Sequence, residues 1–268
     1  MAELRTEALR WLAVCEPADK VAGVLALAES WQRGELTLDH SAALTATQTI
    51  PGYPERPELV PPSAVPQRGV ATVAGRAATI HALAHIEFVA INLALDAVWR
   101  FAHLPLDYYA DWLRVASEEA HHYSMLAGHL QTLGYAYGDF KAHNGLWEMA
   151  ARTEGDVLLR MALLPRTLEA RGLDVTPPMR AKLAQAGDLP AAEILDVILA
   201  DEIGHVLIGN RWFNWLCAQR GLEPESTYVE LATRLGALPL RGQINREARL
   251  AAGFSERELA ALSRAPGK

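Results

Sequence analysis

Cysteine is scarce in this sequence, which contains only Cys15 and Cys217. Two isolated cysteines cannot build the disulfide framework of a small secreted domain, nor can they supply the thiolates of a structural zinc site. The N-terminal stretch carries Glu3 and Glu7 among its apolar residues, which predicts an amphipathic helix and not a signal peptide. We therefore expect a protein of the reducing cytoplasm.

Basic residues are also in deficit, with 25 Lys and Arg against 32 Asp and Glu and a formal net charge of -7. Nucleic acids and anionic membrane surfaces attract clustered Lys and Arg, so neither is an expected partner. Charged residues interrupt every long apolar run, which argues against a membrane span. What remains is a chain of 268 residues, 50% hydrophobic, that is long enough to bury a large core.

Helical periodicity and turn residues predict an all-α chain in three parts. Residues 1–75 are expected to form short helices and a Pro-rich strap, residues 76–221 a four-helix bundle, and residues 222–268 a helical C-terminal extension. The strap contains six prolines: Pro51, Pro54, Pro57, Pro61, Pro62 and Pro66. Because proline fixes φ and lacks an N–H, this segment is extended, either packed on the bundle or serving as a linker.

Four long helices are predicted for the bundle, over residues 76–103, 106–133, 155–172 and 188–221. In the third of these, Pro165 should produce a kink, because it cannot bond to the carbonyl of Met161. A separate short helix should begin after Thr176 and end at Gly187. The long connection between the second and third helices matches the crossover of ferritin-like bundles.

The last bundle helix contains the sequence ILDVILADEIGHVLIGNRW from Ile194 to Trp212, which is apolar on nearly every side. A helix of this composition is buried, yet Glu202 and His205 lie in its middle. A buried carboxylate needs a cationic partner, because desolvating it alone costs more free energy than a core returns. Glu202 and His205 also form a Glu-x-x-His pair, the motif by which four-helix bundles hold dimetal centres.

A second Glu-x-x-His pair occurs in the second bundle helix, where two overlapping choices exist. Glu119 and His122 continue the apolar stripe of that helix, whereas Glu118 and His121 are rotated by roughly 100° onto another face. The helical phase therefore selects Glu119 and His122 as candidate ligands.

Each of the other two bundle helices offers one glutamate. Glu87 lies on the apolar stripe of the first helix. Glu169 lies near one face of the third helix, where a surface glutamate paired with Arg166 or Arg171 is an equally good interpretation of the sequence alone.

Together these residues supply four carboxylates and two imidazoles. The candidate metal ligands are Glu87, Glu119, His122, Glu169, Glu202 and His205. Four buried carboxylates repel one another, and two divalent ions would balance their charge. Imidazole and carboxylate ligands suit two iron ions, two manganese ions or a mixed pair.

Other residues could support these ligands without binding the metal. Glu118 and Asp201 each precede a candidate ligand, and His85 lies close to Glu87, so these three are expected to orient the ligands. Tyr123 adjoins His122 and could either be redox-active or simply pack in the core. No catalytic residue is predicted beyond the metal ligands.

Several segments resemble a bacterial ferritin-like family of conserved proteins with no assigned function. They are HALAHIEFVAINLALDAVWRF, EEAHHYSMLAGHL, LPRTLEARGLDVTP, DEIGHV, PGYPERPELVPP and INREARLAAGF. The resemblance covers nearly the whole chain, and LEARGLD is its most specific piece. It implies a ferritin-like four-helix bundle related to rubrerythrins and diiron hydroxylases, and it implies that Glu169 is the ligand of the third helix.

Two classes of function are compatible with such a site. The first is an oxidase or hydroxylase that activates dioxygen and acts on a small organic substrate. The second is metal handling, as a ferroxidase, peroxide scavenger or iron-binding protein without an organic substrate. The strap and the tail favour the enzyme, because they are most simply explained as a cover over a pocket. A homodimer is an assembly compatible with either class.

Overall fold

The computed structural model describes residues 1–66, 68–237 and 242–264, and the side chains of residues 262–264 fall outside that description. The chain divides into two compact units, Met1–Trp147 and Glu148–Lys268, called unit 1 and unit 2 below. Both are helical, and the described part of the chain contains almost no strand. The predicted all-α class is confirmed.

The main helices of unit 1 begin and end near residues that favour helix termini. They are α1 (Leu4–Ala13), α2 (Pro17–Gln32), α3 (Val73–Arg100) and α4 (Leu106–Thr132). Pro17 occupies the first position of α2, and the hydroxyl of Thr72 caps α3 by accepting a hydrogen bond from the N–H of Gly75 at 3.1 Å. Gly134 follows α4 with φ +80°, a conformation that glycine adopts without strain.

A small parallel strand pair was not predicted. β1 (Ala2–Glu3) pairs with β2 (Leu36–Thr37). Strands of two residues have no periodicity that a sequence pattern could reveal.

Helix α3 forms the centre of unit 1. It packs along α4, while α1 packs on α3 and α2 packs on α4. By length and composition alone α3 could cross a membrane, but 72% of its most apolar window is buried inside the protein. Such burial is typical of the core helix of a soluble protein.

The Pro-rich segment is attached to unit 1 by backbone hydrogen bonds. The N–H of Gly52 donates to the carbonyl of Leu12 at 2.8 Å, and the N–H of Val60 donates to that of Ala142 at 2.8 Å. The N–H of Ala142 in turn donates to the carbonyl of Glu58 at 3.1 Å. Because its backbone groups are bonded in this way, the segment is a packed strap and not a solvated linker.

Helix α5 (Gly145–Arg152) straddles the boundary between the units, and unit 2 contains the remaining helices. These are α6 (Val157–Leu163), a π-helix (Leu164–Glu169), α7 (Ala170–Gln185), α8 (Leu189–Gln219), α9 (Pro224–Arg234), α10 (Arg246–Ala251) and α11 (Glu256–Arg264). Parts of the predicted C-terminal extension, residues 238–241 and 265–268, lie outside the described residues.

The predicted kink at Pro165 takes the form of a π-helix. Proline has no N–H to donate, and the wider π turn accommodates the missing bond. The hydroxyl of Thr167 donates to the carbonyl of Ala162 at 2.7 Å, which satisfies an acceptor within this turn. Gly209 of α8 packs against the proline, since a Cβ at Gly209 would lie 2.3 Å from the Cβ of Pro165.

The sequence prediction was wrong about α7. One helix was expected to end at Gly172 and a separate short helix to begin after Thr176. Helix α7 continues through Gly172 and contains Pro177 and Pro178 in its interior. Pro177 cannot bond to the carbonyl of Leu173, four residues earlier, but the side-chain amide of Asn245 donates to that carbonyl at 3.1 Å. A residue distant in sequence thus replaces one of the two backbone bonds that Pro177 and Pro178 remove from this helix.

The C-terminal helices are held on α7 by a buried ion pair. Two guanidinium nitrogens of Arg249 donate to the carboxylate of Asp174 at 3.0 and 2.8 Å, and both side chains are buried. At the start of α11, Ser255 and Glu258 form a capping box, with reciprocal bonds of 2.7 and 3.1 Å.

Candidate metal centre

Three buried side chains in unit 1 form a candidate metal site. Glu87 projects from α3, and Glu119 and His122 project from neighbouring turns of α4. Their exposed fractions are 3%, 1% and 0%. One ligand atom from each residue lies within 4.8 Å of the other two, close enough to share an ion.

The electrostatics of this cluster require positive charge. Nδ1 of His122 lies 3.3 Å from Oε2 of Glu119 and 3.7 Å from Oε2 of Glu87. Burial alone would lower the pKa of His122, but its hydrogen bonds to the two carboxylates and their negative charge raise it to about 11. A proton on His122 thus compensates part of the charge of the two acids.

The donor atoms fit a metal ion. Carboxylate oxygens and one imidazole nitrogen suit iron, manganese or another divalent transition metal, and a buried site with excess negative charge favours a divalent cation over a single proton. Cys15 is exposed and Cys217 lies in unit 2, so the donors of the cluster are oxygen and nitrogen alone. Glu87, Glu119 and His122 would be the ligands here.

The other Glu-x-x-His choice on α4 faces outward, as the helical phase predicts. His121 is exposed, and Nε of Arg114 donates to the carboxylate of Glu118 at 2.8 Å in an exposed pair. Glu118, expected to orient a ligand, is half-buried and pairs with Arg114, and its supporting role stays a prediction.

In unit 2, the second predicted motif lies on α8. Glu202 and His205 have exposed fractions of 9% and 0%, and Nδ1 of His205 lies 3.9 Å from Oε2 of Glu202. Asp201, expected as a supporting residue, is half-buried beside them in sequence. Glu169 ends the π-helix and is also half-buried, and its assignment as a ligand stays a prediction.

His85 was expected to support Glu87, and its ring nitrogens have other partners. Nδ1 lies 2.9 Å from the hydroxyl of Tyr137, and Nε2 lies 3.1 Å from the carbonyl oxygen of His143. Burial lowers the pKa of His85 to about 4, so the ring is neutral at pH 7. The sequence did not single out Tyr137, because the loop that carries it has no periodicity from which a contact could be inferred.

Lys20 is a second residue that the sequence analysis missed. It is fully buried, and its ammonium donates to the carbonyls of Leu12 and Gly52 at 3.2 and 3.1 Å and to the side-chain oxygen of Asn92. Burial lowers the pKa of Lys20 to about 7. The available signal was its helical phase, since Lys20 shares the buried face of α2 with Val24, Leu27 and Ala28.

Comparison with known proteins places the chain in a family. A protein of Haemophilus influenzae named "Uncharacterized protein" is 50% identical over 231 residues, which cover 84% of this chain and 80% of that relative. No solved structure shows a significant match. Residues 13–260 match the family described as "Protein of unknown function (DUF455)". Because that match spans nearly the whole sequence, the chain belongs to the DUF455 family.

Proposed function

We propose that this protein is a non-haem dimetal-carboxylate protein with a ferritin-like fold, and that it activates dioxygen to oxidise or hydroxylate a small organic substrate. The proposed ligands are Glu87, Glu119 and His122 from unit 1, with Glu169, Glu202 and His205 from unit 2. Two iron ions, two manganese ions or a mixed pair would occupy the site.

The observation that carries the proposal is the cluster of Glu87, Glu119 and His122. Two carboxylates and an imidazole converge with almost no exposure, although burying such acids without a cation is unfavourable. A purely structural cluster would be more stable with apolar side chains. The Glu-x-x-His pair on α8 supports a second set of ligands, because it repeats the spacing of the pair on α4.

The protein would contribute binding and orientation, and the metal would contribute redox chemistry. When bound, two reduced metal ions would supply the electrons that dioxygen requires. Glu119 and His122 belong to one helix, so their relative position is fixed by its backbone. Glu87, Glu119 and His122 are at most 3% exposed, which limits the access of water to these ligands.

Stopped-flow absorbance distinguishes this function from metal handling. Anaerobic protein loaded with about two ferrous ions per chain is mixed with dioxygen, and further ferrous iron is then added in steps. We expect oxidation to stop after the bound iron, because an oxygenase uses its metal as a cofactor. Repeated oxidation of each new addition, with mineral formation, would assign the protein to the ferroxidase class instead.

His122→Ala is the control for this measurement. It should lose the iron oxidation that depends on the site, so any signal that persists in the variant belongs to iron free in solution.

A further inference from the structure

A buried arginine, Arg166, lies among three aromatic rings in unit 2. It belongs to the π-helix that also contains Glu169, and it is 1% exposed. The rings of Phe213, Tyr228 and Phe254 have their centroids 5.0, 4.6 and 4.9 Å from its guanidinium carbon. Because a buried charge seldom stabilises a core better than apolar side chains would, and because π-helices are frequent at functional sites, Arg166 is a candidate for ligand recognition.

The guanidinium of Arg166 uses only part of its hydrogen-bonding capacity. Nη1 donates to the side-chain oxygen of Asn210 at 2.6 Å, and Nη2 donates to Oε1 of Glu258, a residue of α11. Among the described residues, the buried Nε has no hydrogen-bond partner. Burial lowers the pKa of Arg166 to about 10, so the group is charged at pH 7. A strong, charged donor is thus left unused in a water-poor environment.

Glu258 does not use this donor because its other oxygen is already bonded. The Nε and Nη2 edge of a guanidinium binds a carboxylate through two parallel hydrogen bonds, one to each oxygen. In Glu258, however, Oε2 accepts a hydrogen bond from the N–H of Ser255 at 2.7 Å, as part of the capping box. A carboxylate outside α11 has both oxygens available and would form two bonds to Arg166 where Glu258 forms one.

Helix α11 is connected to α10 by a residue suited to act as a hinge. Gly253 has φ +87°, a backbone conformation that glycine adopts without strain. The buried ion pair described above attaches α10 to α7, whereas Phe254 and Glu258 both lie beyond Gly253. A change of backbone angles at Gly253 would therefore move the ring of Phe254 and the carboxylate of Glu258 away from Arg166 together and leave α10 in place.

We propose that α11 is a lid over a binding site for a small carboxylate that carries an aromatic ring. In the open form, the carboxylate of the ligand replaces that of Glu258 on Arg166, and its ring replaces that of Phe254. Phe254 and Leu259 are 4% and 0% exposed, so the closed form predominates. The apparent affinity for the ligand is reduced by the fraction of protein that is open.

The position of Arg166 links this site to the proposed chemistry. Arg166 lies three residues before Glu169, and Asn210 lies five residues after His205 in α8, a rise of about 7.5 Å. The assignment of aromatic carboxylates as the substrate class rests on the proposed function. The existence of the binding site does not, because each of the groups that form it belongs to the chain itself.

The first test measures binding of 3-phenylpropanoate to the metal-free, full-length protein by isothermal titration calorimetry. Glu258→Gln keeps a residue that can complete the capping box but removes the charge that pairs with Arg166. We expect this variant to bind roughly tenfold more tightly than the unaltered protein, because the closed lid loses a charge-assisted bond. Glu256→Gln makes the same change in an exposed pair with Arg246 and should bind like the unaltered protein. Equal affinities of the two variants overturn the proposal.

A second comparison changes only the ligand, so it does not depend on how a variant folds. The neutral 3-phenylpropanamide has nearly the same shape as the acid and should bind to Glu258→Gln at least roughly tenfold more weakly, because it lacks the charge that Arg166 recognises. Equal binding of the amide and the acid overturns the assignment of Arg166 as the recognition group.

Amide hydrogen exchange tests the movement of the lid. Saturating 3-phenylpropanoate should speed exchange at residues 259–264, in α11, and leave the protection of α10 unchanged. Binding without faster exchange in α11 overturns the lid.

Measurements with metal separate the failure of this inference from that of the proposed function. In ferrous-loaded Glu258→Gln, 3-phenylpropanoate should accelerate the uptake of dioxygen. Binding without acceleration overturns the substrate class, and absence of binding overturns the site, while the proposed function stands in both cases. A protein that binds the acid but no metal overturns the proposed function and the substrate assignment, and leaves the carboxylate site.

Discussion

At the scale of single residues, the helical phase of α4 decides which acid and which histidine are buried. Glu119 and His122 are buried, while Glu118 and His121, one position earlier, are half-buried and exposed, respectively. The two pairs have the same composition and spacing on the same helix. They therefore form a matched comparison in which only burial and orientation differ.

We expect Glu119→Ala and His122→Ala to abolish metal binding, because each removes a ligand from a site with few donors. Glu118→Ala should weaken binding by no more than the roughly 10 to 100-fold typical of residues that only support ligands. His121→Ala should behave like the unaltered protein. Metal content after dialysis measures all four variants, and equal losses from Glu118→Ala and Glu119→Ala would show that the wrong face was chosen.

Lys20 gives a pH dependence to the stability of the protein. Its folded pKa of about 7 is below the value of about 10.4 expected when unfolded. Below pH 7 Lys20 is protonated in both the folded and the unfolded protein, so folding carries the full free-energy cost of burying its charge. Between these two pKa values only the unfolded state binds it, and the free energy of unfolding rises with pH by up to about 1.4 kcal/mol per unit.

Denaturant unfolding at pH 7, 8 and 9 checks this contribution. Lys20→Met lowers overall stability, since the carbonyl of Gly52 and the side-chain oxygen of Asn92 lose their bonds to the buried ammonium, but it should also flatten the rise with pH. Identical slopes in the two proteins would mean that Lys20 keeps its proton throughout this range.

At the scale of helices, the contact between the π-helix and α8 depends on a glycine. A Cβ at Gly209 would lie 2.3 Å from the Cβ of Pro165, much closer than two carbons can approach. Gly172, in α7, has no atom within 4 Å of the corresponding position. A Gly→Ala substitution is therefore expected to have opposite effects on stability at these two positions.

Gly209→Ala should destabilise the protein by about 1 to 3 kcal/mol, because the π-helix and α8 must move apart. Gly172→Ala should stabilise it by about 0.5 to 1 kcal/mol, through the lower conformational entropy of the unfolded chain. Thermal unfolding of both variants provides the comparison. A neutral Gly209→Ala would contradict the close packing of the two elements.

At the scale of the whole molecule, the sequence predicted features that depend on local pattern. The bounds of α4 and α8 to within two residues, those of α3 to within three, and the burial of Glu119 follow from helical periodicity and turn residues. The continuity of α7 through its two prolines could not be predicted, because one compensating bond comes from Asn245, far along the chain. The pairing of His85 with Tyr137 was missed for the same reason, since it joins a helix to an irregular loop.

The metal content of the purified protein tests the central claim most directly. Protein expressed in medium with ample iron and manganese is dialysed and analysed by inductively coupled plasma mass spectrometry. The six proposed ligands include four carboxylates, whose charge two divalent ions would balance, so we expect about two iron or manganese ions per chain. A folded protein with a metal content near zero, after reconstitution with either ion, would contradict the assignment of these glutamates and histidines to a metal centre.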